Sequence, residues 1–322
     1  MKKTISLLIA VMLAASIFLA SGPIIGAASQ HLNNDWNRGV VKGLKDAFEA
    51  YGYEFIHTNA RGDTGQQVAD VENFLARKVD AVIIAGGEGP AFEPVMKKLQ
   101  EAGIPVITID IPSQYTLCNV TSDNFNAGEK LALYTINKLG KKGNIVVFDT
   151  PGWYSLLVRS RMLDTVAMDY PDIKIVARFE CSVIDSVNSS YEQMRSYLLS
   201  NPNVNSVYCT WGLPALGASK AIKELGLEDK IFVTCVDADQ AVVQEMMLPN
   251  SPLTGVVGQY PEKLGQIAVQ MADLAIKGEA DKLPVEAYAP IILIEKDAPE
   301  IWFAGLERML PPQAWEALYP AN

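Results

Sequence analysis

Two aspartates, Asp110 and Asp237, each close a run of β-forming residues, Val106-Ile107-Thr108-Ile109 before the first and Phe232-Val233-Thr234-Cys235-Val236 before the second. Short runs of this kind read as strands buried on both faces of a parallel sheet. An acid at the carboxyl end of such a strand stands where open α/β sheets hold their ligands, because helices cover both faces and only the strand ends stay accessible. There a carboxylate can accept hydroxyl hydrogen bonds. A pair could instead serve as acid and base in glycoside hydrolysis, which needs the two held about 5 to 9 Å apart. Trp36, Trp153, Tyr154 and Trp211 fall in loops after strands, where a flat ring can stack on the apolar C–H face of a sugar. The repeated strand-plus-Asp pattern predicts two similar halves facing one site.

Other chemistries fit less well. The two histidines, His31 and His57, have no metal-like spacing with Cys, His, Asp or Glu. There is no Gly-x-Ser-x-Gly elbow and no Walker-type loop, and the sequence calls for no cofactor. Gly86-Gly87-Glu88-Gly89 follows a strand and precedes a helix, yet its spacing differs from a phosphate loop and Glu88 would repel an anion; it reads as a tight loop. A Glu88 that reached the cleft would favour an amine. Cys181, Cys209 and Cys235 sit on apolar strand-like runs, where buried free thiols are common; Cys209 with Cys235 is the leading pair if any disulfide forms. A formal net charge of −10 excludes nucleic acid as a partner, since phosphate binding needs basic surface.

The elements that must carry these residues alternate. Strand, helix and strand signals succeed one another from Pro23 to Asp110, with apolar spacing such as Val40, Leu44 and Phe48 on one helix face. The rhythm restarts at Asn124 and runs to Asp237, followed by helices over about 241–247 and 263–276 and strands over about 254–257 and 289–294. This predicts an α/β fold of two Rossmann-like lobes with parallel sheets and right-handed crossovers. No low-complexity linker separates the halves, which suits lobes joined by several closely spaced crossings. The tail from Asp297, with Trp302, Phe303 and Trp315, is expected to pack back on a lobe.

The amino terminus predicts the compartment. Met1-Lys2-Lys3, an apolar run from Ile5 to Ala20 and the small residues Ala20-Ser21-Gly22 read as a cleavable secretory signal over residues 1–22. No Cys stands near the cleavage point to take a lipid, so a free periplasmic protein is expected.

Seven stretches, in order, resemble the periplasmic sugar-binding proteins of ABC importers, of the ribose-binding type: Leu32 to Trp36, Gly103 to Asp110, Thr121 to Asn124, Arg159-Ser160-Arg161, Ala215 to Ala218, Val236-Asp237 and Gln259 to Gly265. The resemblance implies a type I periplasmic-binding fold, with residues 23–123 and 260–288 in one lobe, 124–259 and 289–322 in the other, and a three-crossing hinge. It implies a sugar or polyol held between the lobes and delivered to a membrane permease by a monomer. By position, Asn34 and Trp36 come from the first loop and Asp110 from the first lobe. Asn124 and Gln259 lie at the crossings, and Arg161 and Asp237 bind hydroxyls from the second lobe. Where the family has Arg after the first Asp this chain has Ile111; a second Phe is Asn37; a pocket Asn is Trp211. Trp211 opposite Trp36 implies a ligand between two rings. A sugar sensor presenting its closed form to a chemoreceptor or sensor kinase is the alternative role. An exported α/β glycoside hydrolase is the alternative from another class.

Overall fold

The structure, a computed structural model, describes residues 22–297, 308–309 and 311–313. The expected signal (residues 1–21 of it) and Trp302, Phe303 and Trp315 lie outside the described residues.

The first sheet is built from β1 (Ile24–Ser29), β2 (Glu54–Asn59), β3 (Ala81–Ala85), β4 (Val106–Ile109), β5 (Cys118–Ser122) and β11 (Glu286–Ala289), in the order β11-β5-β4-β3-β1-β2. All of its pairings are parallel. The connecting helices are α1 (Asp35–Tyr51), α2 (Thr64–Arg77) and α3 (Gly89–Glu101). β3 and β4 are buried along their whole length, as strands covered by helices on both faces must be.

The second sheet takes β6 (Gly143–Asp149), β7 (Ile173–Glu180), β8 (Ser206–Cys209), β9 (Phe232–Val236), β10 (Leu253–Gln259), β12 (Ile291–Glu295) and β13 (Arg308–Met309), ordered β13-β12-β10-β9-β8-β6-β7. Its helices are α4 (Asn124–Lys138), α5 (Tyr154–Ala167), α6 (Ser186–Ser200), α7 (Gly212–Glu224) and α8 (Gln240–Met247). Only β10 with β12 pairs antiparallel among the described strands. Helix α9 (Pro261–Ile276) returns to the first sheet and packs on α1.

The chain passes between the sheets after β5, after β10 and after β11. The run 289–294, expected as one strand, is two: Ala289 ends β11 in the first sheet, and Pro290, which has no N–H to give a ladder, separates it from β12 in the second. β5 and β11 escape the sequence reading because Asn119, Thr121, Ser122 and Glu286 break the apolar run. In the structure those polar side chains of β5 are buried, and Asn119 and Thr121 are bonded. Asn119 Oδ1 accepts the Ile111 N–H at 3.0 Å, and the Thr121 hydroxyl donates to Asp110.

The contact of α1 with α9 is set by glycine. A Cβ on Gly43 would stand 1.9 Å from the Glu262 carbonyl oxygen, and one on Gly265 would stand 2.3 Å from that of Val40. Gly265 closes the Gln259-to-Gly265 motif because the two helix backbones meet there. Cys209 and Cys235 are register partners on β8 and β9, but all four thiols are free and buried. Burial pushes the thiols of Cys209 and Cys235 well above their ordinary range.

Candidate functional site

The carboxyl ends of both sheets face one cavity of about 520 Å³, its mouth and the solvent there included. Asn34, Trp36 and Asp110 line it from the first lobe, and Trp211, Asp237 and Gln259 from the second. Asn124 stands directly behind, its amide donating to Asp110 Oδ1 at 3.5 Å and to the Thr121 hydroxyl at 2.9 Å.

Asp110 and Asp237 are built alike. Each follows the last residue of its strand in a left-handed conformation, φ 60° and 77°, a region Asp tolerates better than most residues. Each ties its N–H to the neighbouring strand, Asp110 to the Val120 carbonyl at 3.0 Å and Asp237 to that of Val257 at 2.9 Å. The twist of the backbone at these points turns both side chains off the sheet.

Arg161, expected beside the ligand, is exposed on the outer side of α5; its carbonyl accepts the Thr165 hydroxyl. Arg159 occupies the cleft instead, 1% exposed. The reason is helical phase: residues two apart on a helix face opposite ways, whereas those three or four apart share a face. Ser155, Leu156 and Arg159 therefore line the cavity together. Arg159 Nε donates to Asn124 Oδ1 at 2.8 Å and Nη1 to the Thr210 carbonyl at 2.9 Å. Its Nη1 is 3.8 Å from Asp237 Oδ1.

A chain of polar groups thus crosses the cleft floor: Thr121, Asp110, Asn124, Arg159, Asp237 and Gln259, whose amide donates to Asp237. Burial raises the pKa of Asp110, and Arg159 is the largest opposing influence. Burial likewise raises Asp237, opposed by Arg159, the Gln259 amide and the Gly212 N–H. The cation missing at Ile111 is therefore supplied from the other lobe through Asn124. Ile111 itself is fully buried in the first lobe's core.

Gln259 Oε1 and Trp36 Nε1 are buried without a partner among the described residues. Trp36 of the first lobe and Trp153 of the second converge over Gly86, where an added Cβ would lie 3.7 and 3.8 Å from their rings. Trp211, 6% exposed, leads into α7 and joins Leu156 in the second lobe's core.

The sequence reading missed Arg159, His31, Asn37 and Val183, all of which line the cavity, and weighed Trp153 only as one aromatic among several. His31 could have been found as the residue just past a buried strand end. It is buried, which lowers its pKa, and its ring lies 3.4 Å from the Asn37 amide. Glu88 is exposed and does not line the cavity, so it brings no charge to the cleft. Among the described residues no group of His, Cys, Asp and Glu has the arrangement of a metal site.

Residues 25–280 match the model of the periplasmic binding protein domain. The chain is 26% identical over 266 residues to the ribose import binding protein of Bacillus subtilis, covering 82% of this chain and 85% of that one. It is 26% identical over 275 residues to the D-apiose import binding protein of Actinobacillus succinogenes, covering 84% and 87%. An ABC transporter solute binding protein from Agrobacterium vitis, solved with bound allitol, superposes with a TM-score of 0.83 at 29% identity, covering 86% of this chain and 96% of that one. The match takes in the strands up to β10, the crossings after β5 and β10 and the cavity-lining residues: the chain belongs to the periplasmic binding protein family and has its type I, ribose-binding-like fold.

Proposed function

We propose that this protein captures a sugar or polyol between its two lobes and delivers it, in the closed form, to the permease of an ABC importer. The observation that carries this is that Asp110 and Asp237 face one cavity from opposite lobes, Asp237 beside the Arg159 guanidinium and Asp110 linked to it through Asn124, with Trp36 and Trp211 in the same lining. Carboxylates accept hydroxyl protons, and indole faces accept the C–H face of the ligand. The names of the relatives support the solute class, since they include importers' proteins for ribose and apiose and a structure holding allitol.

The ligand shell is Asn34, Trp36, Asp110, Arg159, Trp211, Asp237 and Gln259, with Asn124 orienting Asp110 and Arg159. Arg159 replaces Arg161 in this assignment. A ligand touching both lobes favours closure by its differential affinity for the closed and open states. The export signal read in the sequence and the family support a periplasmic working compartment in this reading, in which the protein acts as a monomer.

A thermal-shift panel of pentoses, hexoses and polyols, including ribose, apiose and allitol, tests the reading. A solute present at 100 times its Kd stabilises by about 2.7 kcal/mol. A panel in which no sugar or polyol raises Tm would refute it.

A further inference from the structure

The loops that carry two of the ligand groups are tied to each other outside the cavity. Asp35 opens α1 in the first lobe, directly before Trp36, and Gln240 opens α8 in the second, three residues after Asp237. The first backbone N–H groups of any helix have no partner inside it. The Gln240 N–H donates instead across the cleft, to Asp35 Oδ2 at 2.6 Å. The acceptor is itself held in place. Arg38, on the same helix, pairs with Asp35 Oδ1 and donates from Nη1 to the Leu32 carbonyl at 2.9 Å, so the carboxylate is shared between a cation of its own lobe and an amide of the other. Neither Asp35 nor Gln240 lines the ligand cavity.

The lobes also touch at the lip. β2 and β7 are the edge strands of their sheets on the side away from the strands that carry the crossings, β5 and β11 in one and β10 and β12 in the other. The loop after β2 sets Gly62 against Ile184 in the loop after β7: a Cβ added to Gly62 would stand 3.0 Å from Ile184 Cδ1. Parting the lobes breaks both contacts.

We propose that Asp35 is a positioning residue, a latch that holds the two lobes closed and sets Trp36 against Asp237 before any solute is bound.

A bond made only with the lobes together favours that state by its own free energy. This one has an ionised acceptor at a helix amino terminus, where negative charge is favoured. The latch touches no part of the solute. It raises the fraction of protein already competent to bind, and affinity for every solute rises with that fraction by the same factor. Strength of binding and choice of solute are thereby assigned to different residues.

The Gln240 amide reports on the latch directly, because its acceptor lies in the other lobe. Amide hydrogen exchange of the unliganded protein, read by NMR, is compared with that of Asp35→Ala and Asp35→Asn. The Val243 N–H, which donates to the Asp239 carbonyl at 3.0 Å within the same lobe, is the internal reference for an intact α8. Gln240 is expected to exchange about tenfold faster in Asp35→Ala, the size of effect set by a hydrogen bond to a charged group. Asp35→Asn is expected to fall between the two, since its amide oxygen can still accept. Val243 is expected to exchange alike in all three proteins. Equal Gln240 exchange in wild type and Asp35→Ala overturns the proposal, because the lobes are then not held by this bond. Val243 accelerating in step with Gln240 overturns it as well, because the loss is then that of α8 itself. No solute is added, so the outcome is independent of which sugar or polyol the cleft takes.

Discussion

Asp110 and Asp237 stand at the ends of corresponding strands in the two lobes, share a left-handed backbone, and draw on the same Arg159 guanidinium. The clamp is thus a charge balance in which two acids of opposite lobes are held by one base. Removing any member changes both lobes' share of the site.

The arginine pair separates role from resemblance. Arg159→Ala leaves two buried acids without their cation, and loss of one partner of a buried pair costs about 3–5 kcal/mol. Arg161→Ala, on the exposed face, is expected to stay within about ±0.5 kcal/mol of wild type. Urea midpoints measure both. Equal destabilisation by the two would reverse the assignment.

For the acids, Asn is the instructive replacement because it also tolerates left-handed φ. Asp237→Asn and Asp110→Asn are each expected to weaken calorimetric affinity for the bound solute by at least about tenfold, or ~1.4 kcal/mol, with near-native circular dichroism. Unchanged affinity in both would remove these residues from the ligand shell.

At the α1 and α9 crossing, Gly265→Ala and Gly43→Ala force a methyl into backbone atoms. Overpacking of this kind costs about 1–3 kcal/mol, occasionally more. Gly140→Ala meets nothing within 4 Å but stands at φ 63°, so it isolates backbone strain of about 1 kcal/mol. A thermal melt ranking Gly140→Ala as the worst of the three would contradict the close approach.

His31 is buried and His57 half-buried, and desolvation lowers each pKa. Between the lowered folded value and the unfolded value of about 6.5, the unfolded chain binds more protons. Stability must then fall as pH drops below about 6.5. His57, whose Nε2 meets the Ser29 hydroxyl at 3.0 Å, is the simpler test because it lies off the cavity lining. His57→Gln is expected to flatten the loss of urea midpoint between about pH 7 and 5.5; an unaltered slope would assign that loss elsewhere.

The alternating elements and the two strand-end acids could be read from sequence because a doubly covered strand must be continuously apolar and its terminal acid must face the opening. Arg159 could not be read from its motif alone. Choosing between Arg159 and Arg161 requires the phase of α5, which is set by Ser155 and Leu156 turning inward, and both arginines flank the same serine. β5 and β11 were hidden for a different reason. Polar residues of β5 such as Asn119 and Thr121 are satisfied by partners outside the strand, Asp110 for Thr121 among them, and composition sees only the polarity. The bond from the Gln240 N–H to Asp35 depends on two segments about 200 residues apart meeting, which no local pattern encodes.

Gly86 has a consequence for how such a cleft diversifies. Two indoles from opposite lobes converge on a position that carries no side chain, so the volume above it is an unused allowance of about one methyl group. Its left-handed φ of 66° resists substitution by most residues, and that keeps the allowance vacant. Enlarging or shrinking the solute is then a matter for the rings, whose faces can be traded one at a time without disturbing either sheet.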